Sequence, residues 1–138
     1  MQFGRAAYNV ICWAFLVLLP VQFAIAGYGI MGGDIDAHMM FGGFVLHLVI
    51  PVLLLLTALI GRFWVGAAWA VGLFAILTLQ IAVVDIGRNA DTTWVSGLHP
   101  AFAFLTWPLV YFVMLRKGRA ALAGAGRVGV AEPATADA

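Results

Sequence analysis

The chain has 138 residues, of which 64% are hydrophobic and 9% charged, with a formal net charge of +1. No soluble domain of this length can bury that much apolar surface in one core, so lipid has to solvate the remainder. The composition also argues against nucleic acid as a partner, because no basic groove interleaved with aromatics is present, and against hydrolase or nucleotide-binding chemistry, because no Gly-x-Ser-x-Gly, Ser-x-x-Lys or phosphate-loop motif occurs.

Four stretches carry no Asp, Glu, Lys or Arg: Ala6 to Gly33, Ala37 to Gly61, Phe63 to Val84 and Thr92 to Leu115. About 20 residues rising roughly 1.5 Å each cross a hydrocarbon layer of about 30 Å, so every stretch is long enough. None alternates as barrel strands do. The predicted fold is therefore all-α, a four-transmembrane-helix up-down bundle, with helices near 8–28, 36–60, 63–84 and 96–116. Residues 1–117 form the single domain, and 118–138, rich in Ala, Gly and Val, read as a disordered cytoplasmic tail unable to bury enough surface to order itself.

In chain order, the first helix holds Pro20, which removes a backbone donor and favours a bend. Arg5, the apolar run after it and Ala24-Ile25-Ala26 together resemble a secretory signal with its cleavage site, but the segment is read as retained. Cys12, the only cysteine, cannot form an internal disulfide and is read as packing. The link Gly29-Ile30-Met31-Gly32-Gly33 is a turn signal, and Asp34 or Asp36 is placed to cap the second helix. Pro51 interrupts that helix. The turn Gly61-Arg62 is short enough to make the second and third helices antiparallel neighbours. Gly66, Ala70 and Gly72 on the third helix let a partner approach closely and would permit copies of the chain to associate.

Lys and Arg near the ends of membrane helices are retained on the cytoplasmic side. Arg5, Arg62, Arg116, Lys117, Arg119 and Arg127 fall on one side of such a bundle and Arg88 alone on the other. Both termini are thus expected in the cytoplasm. Asp34, Asp36, Asp85 and Asp91 make the outer side mildly acidic.

The three histidines all lie in the apolar stretches. Counted from Arg62, His47 lies about 22 Å deep and His38 about 36 Å; counted from Arg116, His99 lies about 25 Å deep. His47 and His99 are thereby predicted level, on the second and fourth helices. His38 is nine residues from His47, half a turn round an α-helix, and is predicted to point away from the bundle. An imidazole among lipid tails seeks the bundle interior and a partner. Two at one level on different helices suit the iron of a haem, and Gly43, Ala103 and Thr106 leave room for a flat ring. Pro51 loosens the backbone carbonyl of His47, and Pro100 fits the first turn of its helix.

The predicted site is thus haem b held by His47 and His99, with His38 the weaker candidate ligand. Two alternatives stay open. The histidines form only interhelical hydrogen bonds, with Gln22, Gln80 and Thr106 as candidate partners, or His38 or His99 joins Asp34, Asp36, Asp85 or Asp91 around copper or zinc near the outer face.

The run His38-Met39-Met40-Phe41-Gly42-Gly43-Phe44-Val45-Leu46-His47, the Leu-rich stretch closing on Gly61-Arg62, and Gly97-Leu98-His99-Pro100 resemble an uncharacterised family of small bacterial four-helix membrane proteins over roughly residues 8–117. That resemblance implies the architecture and a bacterial inner-membrane location, with no assigned activity. The chain is more loosely similar to four-helix haem-binding membrane cytochromes, including each half of haem A synthase. There, histidines on the second and fourth helices hold the haem. Haem A synthase carries a Glu three residues before its second-helix histidine and usually an Arg after it. Here His38 has Ile35 and Met39 in those places, and His47 has Phe44 and Leu48. The resemblance therefore implies a bound b-type haem for electron transfer or haem handling, with a quinone or a larger membrane complex as partner, rather than catalysis. The rival reading is a non-enzymatic accessory or structural subunit.

Overall fold

The computed structural model describes residues 1–90 and 92–128, apart from the side chains of Thr93 and 125–128. Among the described residues every regular element is helical. Four helices are long and apolar enough to cross a membrane. The first is Gln2–Ile30, unbroken through Pro20. The second, Ile35–Ile60, has a π-helical middle over Phe41–Val49. The third is Trp64–Asn89. After a single turn at Thr93–Ser96, the fourth covers 98–128, with a π-helical stretch at Leu109–Leu115.

The links follow from local chemistry. At the end of the first helix, Gly33 N–H donates to the Tyr28 carbonyl (3.0 Å) and Gly32 N–H to that of Gly29 (3.2 Å), with Gly32 at φ +98°. These paired bonds satisfy the last carbonyls and need a left-handed residue, which glycine supplies at no steric cost. Asp34 Oδ1 then accepts from the Asp36 N–H at 2.8 Å, capping the second helix. The same pair of bonds closes that helix, from Phe63 to Ala58 (2.8 Å) and from Arg62 to Leu59 (3.0 Å). Here the left-handed position falls on Arg62, at φ 49°.

Each helix buries one stripe. Tyr8, Cys12, Phe15 and Leu19 recur at helical spacing on the first, Leu46, Ile50, Leu54 and Ala58 on the second, Ala70, Leu73 and Leu77 on the third, and Val110 and Met114 on the fourth. The opposite faces are exposed and apolar, including Val10, Val17, Leu53, Val71, Phe104 and Leu105. In water that surface would be heavily unfavourable, whereas lipid would solvate it. The first and second helices approach closely, backbone to backbone, at one end. A Cβ on Gly4 would lie 2.5 Å from Gly61 N and 2.7 Å from the Thr57 carbonyl oxygen.

The tail prediction is corrected for residues 118–128, which are helical rather than disordered. Gly118 is buried against Tyr8 and Asn9, and Arg5 Nη1 donates to the Ala121 carbonyl at 2.7 Å. Ala120, Ala121, Leu122 and Ala123 are strong helix formers, so propensity and docking on the first helix outweigh the low apolar content. The rest of the predicted tail, 129–138, lies outside the described residues. The first helix likewise begins at Gln2 rather than near residue 8.

Candidate functional site

Arg5 fixes the levels of three helices at once. Its Nε donates to the Gly61 carbonyl at 3.0 Å and its Nη1 to that of Ala121 at 2.7 Å. Gly61 and Ala121 therefore share one depth. His38 lies 23 residues before Gly61 and His99 lies 22 residues before Ala121, whereas His47 is only 14 residues before Gly61. The histidine level with His99 is thus His38.

The side chains agree. The rings of His38 and His99 have centroids 6.3 Å apart at an interplanar angle of 79°. His47 has other neighbours, with Nε2 3.2 Å from Thr78 Oγ1 and its ring edge-on to Phe74 at 5.0 Å, both on the third helix. The predicted pairing of His47 with His99 is corrected to His38 with His99.

Two physical reasons account for the difference. Arg116 stands five residues before Ala121, so counting from it placed His99 too shallow. The π-helical stretch Phe41–Val49 closes its hydrogen bonds one residue further on than an α-helix, so each residue turns through less than 100°. The nine residues between His38 and His47 consequently do not span half a turn, and both rings are half-buried. Pro51, which has no N–H to give, directly follows this stretch and Ile50.

Each ring of the pair is oriented by a glutamine. His99 Nδ1 lies 3.0 Å from the Gln80 backbone carbonyl. A carbonyl only accepts, so Nδ1 carries the proton and Nε2 presents its lone pair. Gln22 Nε2 lies 2.9 Å from both His38 Nδ1 and the His38 carbonyl oxygen, and donates one hydrogen to each. Gly42 makes this possible, because any side chain there would collide with the Gln22 amide. Both glutamines are more than nine-tenths buried, and Gln22 Oε1 and Gln80 Nε2 have no partner among the described residues. Buried polar atoms are rarely left so.

The remaining predicted residues fall elsewhere. Gly43 is exposed, with open space where a Cβ would project. Ala103 and Thr106 are buried in the bundle, and the Thr106 hydroxyl donates to its own helix at the Ala103 carbonyl (2.6 Å). They fill the interior instead of bordering a gap. Among the described residues no cluster of three or more His, Cys, Asp or Glu is arranged to hold a metal ion, so the aspartate-assisted copper or zinc reading gains no support.

Opposed imidazoles that each bind one metal ion at about 2.0 Å have ring centres roughly 6 Å apart. The His38–His99 separation matches that span. A ligating histidine usually donates its other N–H to a carbonyl or carboxylate. His99 already does so. His38 would carry its proton on Nδ1 when ligating through Nε2, and the orphaned Gln22 Oε1 is the acceptor that a turn of the amide would supply. His99 could thus hold a haem iron as it stands, and His38 could do so once the Gln22 amide turns and gives up its bond to the His38 carbonyl. Two surface grooves, one bordered by Trp13, Tyr111 and Arg119 and the other by Leu48, Pro51 and Phe74, do not include the pair. The fit therefore rests on ligand geometry and unpartnered amides, not on a cavity.

No known protein family matches the chain, and neither does any characterised protein or solved structure.

Proposed function

We propose that the chain is a small multi-pass protein of the bacterial inner membrane, folded up-down-up-down with both termini cytoplasmic, that binds haem b between its second and fourth helices. His38 and His99 are the residues that would hold it. The topology is supported by Arg5, Gly61 and Ala121 meeting at one end and Gln22, His38, Gln80 and His99 meeting through hydrogen bonds and ring contact elsewhere. Cations collected at the first of these ends favour the cytoplasmic side for it.

The observation that carries the haem reading is the 6.3 Å separation of two level imidazoles, one with its Nε2 lone pair uncommitted. A bound haem supplies one-electron redox chemistry. The chain's own contribution is positional: Gln80 fixes the tautomer of His99, Gln22 sets the rotation of His38, and the apolar helices exclude water. Electron transfer or haem handling follows as the role, with a quinone or a larger membrane complex as partner. The looser likeness to haem-binding membrane cytochromes points the same way. The test is the absorption spectrum, oxidised and reduced, of detergent-purified protein from haem-replete cells. A Soret band that shifts on reduction is expected, and a colourless protein overturns the reading.

A second reading has its own observation. Every histidine bonds a neighbouring helix: His38 to Gln22, His47 to Thr78 and His99 to Gln80. An accessory or structural membrane subunit needs no more than these ties. Such bonds average about 0.6 kcal/mol in membrane bundles. Thr78→Val is accordingly expected to lower stability by less than about 1 kcal/mol and to leave any Soret band unchanged, as read by thermal unfolding in detergent and by absorbance.

A further inference from the structure

At the opposite end of the bundle from the histidine pair, the first and fourth helices enclose a groove of about 240 Å³ that plays no part in the proposed site. It is bordered by Trp13, Tyr111, Phe112, Leu115, Arg116 and Arg119. From these residues we infer that the groove binds the phosphate headgroup of an anionic phospholipid.

The groove's chemistry is specific in two ways. Arg116 and Arg119 stand three residues apart on the fourth helix, so they project on one side of it, and both are exposed. Arg5, the nearby cation of the first helix, is already committed to the Gly61 and Ala121 carbonyls. Arg116 and Arg119 meet no carboxylate among the described residues, where the acidic side chains are Asp34, Asp36 and Asp85, all on the far side of the bundle. Arg119 lies over the Trp13 ring, 5.7 Å from its centroid, which holds the guanidinium at the groove. Guanidinium groups bind phosphate oxygens in pairs of parallel hydrogen bonds.

The walls of the groove are aromatic and apolar. Trp13 meets Tyr111 edge-on at 6.2 Å, and Tyr111 stacks on Trp107 at 5.4 Å. Further from the arginines than this aromatic collar, Leu105 and Phe104 are exposed along the same helix. Indole and phenol rings favour the headgroup zone, so guanidinium, aromatic collar and apolar strip succeed one another in the order of phosphate, glycerol and acyl chain. A free phosphate ion would use only the first of these. Basic pockets between membrane helices on the side rich in cations bind such headgroups.

Native mass spectrometry of the full chain in detergent, titrated with phosphatidylglycerol or phosphatidylcholine, tests the inference. Phosphatidylglycerol is expected to bind preferentially. Each arginine near the headgroups contributes about fivefold, so Arg116→Gln with Arg119→Gln should weaken binding roughly 25-fold. Arg62→Gln, which removes an exposed cation outside the groove, should leave it unchanged. Helical content by circular dichroism verifies folding of each variant, and all three arginines are exposed or solvent-facing enough to be replaced without opening the core. Equal binding of the two lipids overturns the inference, as does an equal loss in Arg62→Gln, which would mean general surface charge. Displacement of the lipid by millimolar inorganic phosphate overturns the lipid as the occupant. None of these readouts depends on haem.

Discussion

His38→Ala and His99→Ala are each expected to weaken haem binding by at least about 100-fold, while His47→Ala keeps the Soret band at full intensity. The asymmetry follows from the positions of the rings. The ring centroids of His38 and His99 lie 6.3 Å apart, whereas His47 bonds Thr78 and meets Phe74. Removing a partner that only orients a ligand costs about 10- to 100-fold in metal affinity, and removing the ligand costs at least as much. Gln22→Leu should therefore fall between, near 10-fold, because His38 remains but loses the amide that sets its rotation. Absorbance titration with hemin, alongside circular dichroism for folding, measures all four variants. Loss of the band in His47→Ala with retention in His38→Ala would return the ligand role to His47.

Gly4→Val is expected to destabilise the bundle by about 3 kcal/mol. Its Cβ would meet backbone atoms, Gly61 N at 2.5 Å and the Thr57 carbonyl oxygen at 2.7 Å, and backbone cannot rotate out of the way as a side chain can. The two helices would have to separate at the end where Arg5 joins Gly61 and Ala121, so those bonds would be lost as well. Gly72→Ala is the control. It has open space where its Cβ would project, and it replaces a poor helix former with the best one. It is expected to be neutral or stabilising by up to about 1 kcal/mol. Thermal unfolding in detergent, followed by circular dichroism, separates the two.

What could be read from the sequence follows the range of the interactions involved. The spans were legible because charge is excluded from hydrocarbon over the whole length of a helix. The turn at Gly32, the cap at Asp34 and the tight link at Gly61-Arg62 were legible because each depends on residues within about five positions. Depth was harder to read. The ruler on the second helix, anchored at Arg62, was sound, since Gly61 does lie at the end. On the fourth helix Arg116 looked like the matching anchor, but the helix continues past it to dock Gly118 and Ala121 on the first. Only a contact across more than a hundred residues reveals that offset. The phase between His38 and His47 was hidden for another reason, because nothing in Phe41–Val49 announces a π-helix except Pro51 just beyond it. Gln22 and Gln80 were visible as buried polar residues, but which imidazole each would orient depended on the same levels.

Two neighbouring imidazoles, His38 on the second helix and His99 on the fourth, are the proposed haem ligands. Electron paramagnetic resonance of the oxidised, haem-loaded protein reads their number and kind directly. The expected result is the low-spin ferric signal of two imidazole ligands, lost on replacing either His38 or His99. A high-spin signal of a singly ligated iron in the unaltered protein, or a low-spin signal that survives His38→Ala, would contradict it.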